Sequence, residues 1–271
     1  MEMEMEREGM GPSLPRSTSS LSLPPPIHRQ VYQKRTDSPS LRPYQRALTE
    51  QRDRLAALPH AAAHVLPWAV IRETPRGAHL VRPHAHTSAA AALSTRPFMS
   101  PAEKRWVAWQ VLVTLADAHG AGVVHGDLKP ENVLLTSGGW ALLADWSAAY
   151  KPAALPVDNP ADFSLFFDAP GGRRRCCLAP ERFVEGGSRS GPPTPAHTPA
   201  MDVFAAGCVL AELFADGRPL FDLPALLAYR KGSGADDPVS ALADIAAAAG
   251  GAAFDPPMQA LVRAMVAPDP A

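Results

Sequence analysis

The sequence predicts an α+β fold in two lobes, of which the second is mainly helical. Short apolar runs typical of strands lie at residues 66–72 and 78–82, whereas the strongest helical patterns come later, at 100–120 and 202–217. The chain has 271 residues, of which 46% are hydrophobic, so it can bury a core large enough for both lobes.

The first 28 residues are biased in composition. Met and Glu alternate at the start, and a run rich in Ser and Pro follows. Such a segment cannot bury enough apolar surface to offset the entropy of ordering, so disorder is predicted for residues 1–28. The charged start is unlike a signal peptide, and no apolar run reaches the roughly 18 residues of a membrane-spanning helix.

Charge and cysteine content narrow the functional classes. The net charge is −1, which gives no general attraction to nucleic acid or to anionic membranes. Of the three cysteines, Cys176 and Cys177 are adjacent, a spacing that fits neither a disulfide framework nor a metal knuckle. We therefore predict packing cysteines in a reduced, cytoplasmic protein that binds no nucleic acid.

The clearest helix is SPAEKRWVAWQVLVTLADAHG, residues 100–120. Ser100 is the predicted N-cap, Pro101 suits the first helical position, and Glu103 completes a capping box. The glycine at the end of the stretch is a stop signal.

Further patterns predict the remaining elements. DVFAAGCVLAELFADG, residues 202–217, is apolar on nearly all sides and predicts a buried helix, in which Gly207 permits the close approach of a neighbour. The runs NVLLT and WALLA predict a strand pair around the turn at 137–139. Shorter helices are predicted near 41–57, 224–231 and 257–266.

The stretch VVHGDLKPENVLL, residues 123–135, carries the predicted chemistry. Asp127 can orient an acceptor hydroxyl, and Lys129 can neutralise charge on a transferring phosphate, so both are predicted to be catalytic. Lys129, Asn132 and Asp145 are the predicted nucleotide-binding residues. Asn132 and Asp145 offer the hard oxygen ligands that suit Mg²⁺. Because the strand pair folds back on itself, both carboxylates are predicted to face one cleft.

These residues resemble two classes of phosphotransferase. HGDLKPEN and DWS are similar to the H-R-D-x-K-x-x-N loop and the D-F-G motif of protein kinases. The H-G-D form and the Trp after the Asp also resemble the aminoglycoside and choline kinases. Three later stretches favour a protein kinase, because each resembles part of a protein-kinase large lobe: APE at 179–181, the helix from 202 and LVRAMVAPDP at 261–270.

Longer stretches resemble one family, the vacuolar-protein-sorting serine/threonine protein kinases. These are regulatory subunits of the class III phosphatidylinositol 3-kinase complex. The resemblance implies a two-lobed, protein-kinase-like fold with ATP and Mg²⁺ as cofactors. The stretches are LSTRPFMSPAEKRWVAWQVL, GVVHGDLKPENVLLTS, LADWSAAYKPAALPVDNPADFSLFFD, GGRRRCCLAPERF and MDVFAAGCVLAELF.

The same resemblance implies a cellular role and partners. A member of this family acts in endosomal and vacuolar sorting and in autophagy. It is bound to the lipid-kinase catalytic subunit and to a coiled-coil subunit. Its expected location is cytoplasmic and peripheral on endosomal, vacuolar and autophagosomal membranes.

The chain departs from the family in its first lobe. By resemblance, residues 29–92 form an incomplete small lobe, and residues 93–271 form the large lobe with an insertion at about 184–200. No glycine-rich strand pair precedes the small lobe, and Gln30 stands where the family has the lysine that pairs with the ATP phosphates. The chain stops just before the family's large lobe closes, so we expect an incomplete chain.

Two main functional classes therefore stay open. The set of Asp127, Lys129, Asn132 and Asp145 favours an enzyme that transfers the ATP γ-phosphate to a Ser or Thr hydroxyl. Gln30 favours a catalytically weak scaffold that binds and regulates the lipid kinase. A small-molecule phosphotransferase is a third, less favoured class.

Gly126 stands where most protein kinases place an arginine that grips a phosphate on the activation segment. Without that side chain, we predict a segment with no phosphorylation switch at Ser164. FSLFF, residues 163–167, can pack, and the arginines at 173–175 can reach acidic groups. The segment is therefore predicted to be held by packing and by the partner subunit.

Overall fold

The computed structural model describes residues 27–33, 42–75, 77–157, 175–185, 196–233, 237–248 and 254–267. Within these ranges it has seven helices and nine strands, which confirms the predicted α+β class. The predicted leader lies outside the described residues except for Ile27 and His28, which begin the first strand.

The elements up to the first long helix belong mostly to strands. In chain order they are β1 Ile27–Gln33, α1 Arg42–Ala56, β2 Val65–Leu66, β3 Val70–Thr74, β4 Gly77–Pro83, β5 Thr87–Ser88, α2 Ala89–Ser94 and α3 Pro101–Gly120.

The later elements are mainly helices. They are β6 Val133–Leu135, β7 Ala141–Ala144, β8 Leu155–Pro156, β9 Phe183–Val184, α4 Pro199–Phe214, α5 Leu223–Arg230, α6 Pro238–Ala248 and α7 Pro256–Met265.

The first lobe is a three-stranded antiparallel sheet with the order β1-β4-β3. In the register of β1 with β4, Gln30 lies opposite Leu80. Helix α1 packs on this sheet through Leu48, which forms a small buried cluster with Trp68 and Leu80. The lobe therefore has its own apolar core, separate from the main one.

A second sheet, of order β2-β7-β6-β5, positions the cleft. Strands β6 and β7 are the predicted pair, with Val133 opposite Leu143. Strand β2 runs parallel to β7 and pairs Val65 with Leu143, which ties the residues after α1 to the large lobe. The strand pair thus brings the segment after β7 back beside the loop before β6, as predicted.

Helix α3 begins as its sequence indicated. Ser100 accepts from the backbone N–H of Glu103, the Glu103 side chain accepts from the Ser100 backbone N–H, and Pro101 is the first helical residue. This reciprocal cap satisfies two donors that the helix would otherwise leave unpaired, so the helix starts at a defined residue. The helix ends at Gly120, as expected.

Helix α4 lies in the centre of the large lobe, because nearly all of its residues are buried. It packs against α3 and α7. A Cβ atom at Gly207 would lie 2.7 Å from Val266 Cγ1 and 3.0 Å from Met265 Cβ, which confirms that this glycine lets a neighbour approach closely. Cys176, Cys177 and Cys208 are all buried and free, as predicted for packing cysteines.

Several elements differ from the sequence prediction. The strand predicted at 66–72 is two short strands, because Pro67 and Trp68 interrupt it: β2 ends at Leu66 and β3 starts at Val70. Helix α6, Pro238–Ala248, was not predicted at all. Its alanine-rich sequence carries little hydrophobic periodicity, so the helical pattern is weak.

The search for a membrane-spanning element gave a negative result for the described ranges. None of the helices there combines the length and the apolar character needed to cross a bilayer.

Gly207→Ala should lower the free energy of unfolding by about 1–3 kcal/mol, because the added methyl group overpacks the contact of α4 with α7. The measurement is urea unfolding. Gly120→Ala is the matched control, since a Cβ at that position meets nothing within 4 Å. Equal effects of the two substitutions would contradict the close approach at Gly207.

Candidate active site

Asp202, near the start of α4, holds the loop that carries Asp127. Its Oδ2 accepts from the backbone N–H of His125 at 2.7 Å, and its Oδ1 accepts from the backbone N–H of Gly126 at 3.0 Å. The Nε2 of His119 lies 2.9 Å from Oδ2. Burial alone would raise the pKa of Asp202, but the hydrogen bonds of His119, Gly126 and His125 lower it below its usual value. The carboxylate is therefore a charged anchor.

Two further contacts orient Asp127 within the loop. Asn132 Nδ2 donates to the backbone oxygen of Asp127 at 2.8 Å, and the Asp127 backbone N–H donates to His125 Nδ1 at 3.3 Å. Burial lowers the pKa of His125, so the ring is neutral and can accept at Nδ1. His125 thus has a structural hydrogen-bonding role in the loop.

Two lysines contact the Asp127 carboxylate. Lys129 Nζ lies 3.4 Å from Asp127 Oδ2. Lys151 Nζ also donates to Oδ2, and sequence reasoning missed it. Burial lowers the pKa of Lys151, while the charge of Asp127 opposes that shift. No local signal marks Lys151, because it belongs to the segment after β7 and meets Asp127 only through the fold.

Asp145 directly follows β7 and has a φ of 61°, an unusual conformation for a residue other than glycine. Arg82 at the end of β4 donates to both of its oxygens, from Nε to Oδ1 at 2.9 Å and from Nη2 to Oδ2 at 3.3 Å. Sequence reasoning also missed Arg82. The strand pattern placed Arg82 on the same face as Leu80 but gave no sign of its partner, because Asp145 is 63 residues further along the chain.

The residues predicted to hold magnesium do not fit a bound divalent cation as they are arranged here. Both oxygens of Asp145 accept from Arg82, and Asp127 is paired with lysines. The described part of the chain has no group of three or more His, Cys, Asp or Glu side chains that could hold a metal. The magnesium role of Asn132 and Asp145 stays a prediction, and the local charges disagree with it.

The backbone geometry at position 126 explains why the residue there is a glycine. Its φ is +83°, and a Cβ there would lie 2.8 Å from the backbone Cα and N of Ala148. Ser147 and Ala148 donate their backbone N–H groups to the His125 oxygen, at 2.8 and 3.1 Å. The segment after Asp145 therefore crosses the loop at the glycine, and a side chain would separate the two.

Arg182, just after the APE sequence, ties the far end of the same segment to the loop. Its Nη1 donates to the Gly126 oxygen at 3.0 Å, its Nε to Ala153 at 3.0 Å, and its Nη2 to Pro152 at 2.8 Å. The side chain is buried. One guanidinium thus fixes three backbone carbonyls from two stretches of chain.

The prediction that arginines at 173–175 reach acidic groups is confirmed at Arg175. It donates to both oxygens of Glu212 on α4 and to Glu131 in the loop. Ser164 and FSLFF lie outside the described residues.

The two lobes, the anchored loop and the cleft carboxylates together define a protein kinase domain. The chain belongs to the protein kinase domain family, whose model matches residues 60–270. This is the class that the three later stretches favoured.

Among proteins of that class, the chain is similar to VPS15 kinases. It is 48% identical over 204 residues to "Serine/threonine-protein kinase VPS15" of Arabidopsis thaliana, covering 75% of this chain and 13% of that protein. It is 45% identical over 210 residues to "Probable serine/threonine-protein kinase vps15" of Dictyostelium discoideum, covering 78% and 10%. It is 41% identical over 209 residues to "Serine/threonine-protein kinase VPS15" of Saccharomyces cerevisiae, covering 75% of this chain and 14% of that protein.

The chain thus spans 10–14% of the length of these relatives. The resemblance that the sequence motifs indicated is confirmed. By that resemblance the domain is of the non-specific serine/threonine protein kinase type.

Gly126→Ala should lower the free energy of unfolding more than Gly122→Ala. Gly122 has a φ of +70°, but a Cβ there meets only a side-chain atom of Arg54 at 3.9 Å. Gly122→Ala should therefore show the backbone strain alone, about 1–2 kcal/mol. Gly126→Ala adds the contact with Ala148 and should cost at least about 1 kcal/mol more. Chemical denaturation measures both losses of unfolding free energy. A smaller loss for Gly126→Ala than for Gly122→Ala would contradict the close approach of the Ala148 backbone to Gly126.

Stability should fall between pH 6.5 and 4 because of His197. Burial, and then the positive charge of Arg182, lower the pKa of this histidine to about 4. Below about pH 6.5 His197 is protonated in the unfolded chain, whereas in the folded chain it stays largely neutral. Acid therefore favours unfolding. At pH 5 we expect the free energy of unfolding to be lower by about 1 kcal/mol, after discounting for the partial exposure of the ring.

The comparison is the pH dependence of unfolding free energy in the native chain and in His197→Gln. The variant should lose less stability between pH 7 and 5 than the native chain does. His60→Gln, which removes an exposed histidine, serves as the control. If the unfolding free energy of His197→Gln depended on pH as that of the native chain does, His197 would not be the cause of the acid destabilisation.

Proposed function

We propose that the domain transfers the γ-phosphate of ATP to a Ser or Thr hydroxyl of a protein. The observation that carries the proposal is the anchoring of Asp127 in a loop whose backbone Asp202 holds by two buried hydrogen bonds. A carboxylate fixed in this way can orient an acceptor hydroxyl without reorganising during the reaction. The similarity to proteins named serine/threonine kinases supports the same conclusion.

The chemistry of this chain follows from the contacts of Asp127. The described lysines both contact Oδ2, which leaves Oδ1 for the hydroxyl of the acceptor. As the hydroxyl oxygen attacks the γ-phosphorus, its proton passes to Oδ1 and the bond to the β-phosphate oxygen breaks, releasing ADP. Lys129 is placed to neutralise charge on the transferring group.

The cellular role is proposed from resemblance. The whole protein would be the regulatory subunit of a class III phosphatidylinositol 3-kinase complex, acting in endosomal and vacuolar sorting and autophagy. Its partners would be the lipid-kinase catalytic subunit and a coiled-coil subunit, with peripheral attachment to the membranes of those compartments. The names of the relatives support this place, since they are VPS15 kinases.

A catalytically weak scaffold that binds and regulates the lipid kinase is the second candidate. The observation that favours it is that both cleft carboxylates are already paired with cations, Asp127 with Lys151 and Asp145 with Arg82. Gln30 adds to this, because it brings no charge to the position of the family lysine.

Asp127→Asn should reduce phosphotransfer from radiolabelled ATP to protein by at least about a hundredfold, because the variant cannot accept the hydroxyl proton. The assay uses the full chain in its natural complex. Asp244→Asn, which removes an exposed carboxylate on α6, is the control. Equal incorporation of labelled phosphate by both variants would contradict the proposed kinase activity and favour the scaffold function.

A further inference from the structure

Arg82 and Asp145 form an ion pair across the cleft between the lobes. Arg82 is the last residue but one of β4 in the first lobe, whereas Asp145 follows β7 in the second sheet. Nε and Nη2 of the guanidinium each donate to one carboxylate oxygen, at 2.9 and 3.3 Å. This two-point geometry is the strongest form of a carboxylate–arginine contact, and it takes the oxygens that a metal ion would need.

The guanidinium of Arg82 is fixed on its other sides. Its side chain is 6% exposed, it lies 5.5 Å from the ring centroid of Trp68, and its Nη1 donates to the Pro83 oxygen at 3.4 Å. An arginine stays charged in any such environment, so it needs a permanent anion. Among the contacts of the described residues it uses three of its five N–H donors, which leaves two for a further acceptor.

The charges of the cleft favour an anion over a divalent cation. Asp127 and Asp145 are negative, whereas Arg82, Lys129 and Lys151 are positive and lie within ion-pair distance of them. These five side chains sum to one positive charge. A divalent cation is repelled by that excess, whereas a polyphosphate is attracted to it.

The neighbouring strand β1 places His28 opposite Arg82 and an uncharged residue, Gln30, two positions further along. Gln30 of β1 lies opposite Leu80 of β4, and Arg82 is two residues further along the same face as Leu80. In this chain the arginine that contacts Asp145 therefore comes from β4, two residues beyond the partner of Gln30.

We propose that Arg82 takes the place of a divalent cation on Asp145, so that the cleft binds the phosphates of a nucleoside triphosphate without a metal ion. The guanidinium neutralises Asp145 and turns its remaining donors to the phosphate oxygens. The Asp145 side chain is 23% exposed and the Arg82 side chain 6%, so the pair is reached from solvent mainly at the carboxylate. The proposal rests on the proposed function only in that the cleft takes a nucleotide.

The test is isothermal titration of the full chain with ATP, once with excess EDTA and once with excess Mg²⁺. The native chain should bind ATP in EDTA. Arg82→Gln should weaken that binding by at least about tenfold, because a charge-assisted contact to phosphate is lost. Arg72→Gln, which removes the same charge from an exposed position on β3, should bind as the native chain does. Binding that appears only with Mg²⁺ overturns the proposal.

Asp145→Asn keeps the proposal testable if Arg82→Gln unfolds, which circular dichroism shows. As a metal ligand, Asp145 would be needed for nucleotide binding. Under our proposal it competes with the phosphates for Arg82, so Asp145→Asn should bind ATP in EDTA as tightly as the native chain or more tightly. A loss of that binding in a folded Asp145→Asn overturns the proposal. Phosphotransfer has no part in this readout, so a failure of the kinase reaction is a separate result.

Discussion

The buried carboxylate of Asp202 is the interaction on which the rest of the site depends. Two backbone N–H groups of the loop before Asp127 have no partner in a helix or sheet, and leaving them buried and unpaired would cost several kcal/mol. Asp202 accepts both, from the first turn of a helix that lies inside the large lobe. Because α4 is enclosed by its neighbours, the loop takes its position from the core and not from solvent or ligand.

The same loop is held from the opposite side by the segment that follows Asp145. The absence of a side chain at Gly126 lets the Ala148 backbone cross it, and Arg182 then closes the crossing by binding the Gly126 carbonyl. Arg175 ties the segment to Glu212 of the same central helix. In this chain Arg182 and Arg175 thus fix the segment after Asp145, whereas in many protein kinases an arginine bound to a phosphorylated residue fixes it. The Arg175 contact agrees with the prediction that the arginines at 173–175 reach acidic groups, and the approach of Ala148 adds a steric reason for the glycine. The absence of a phosphorylation switch stays a prediction.

What the sequence could predict was local. The cap of α3, the burial of α4 and the strand pair that brings Asp145 back to the loop all follow from spacings of a few residues. The two cations that occupy the carboxylates could not be found in this way, since Arg82 and Asp145 are 63 residues apart and Lys151 and Asp127 are 24 apart. Such contacts are set by packing of whole elements, so the residue types of the site were predictable while its charge state was not.

Amide hydrogen exchange at His125 and Gly126 tests the central claim, that Asp202 fixes the loop from within the core. In the native chain these two amides should exchange only through global unfolding, with an opening free energy equal to that from denaturant unfolding. In Asp202→Asn they should exchange at least about tenfold faster than the amides in the middle of α3, because the variant accepts two such donors less well. Exchange in the native chain as fast as in an exposed turn would contradict the account.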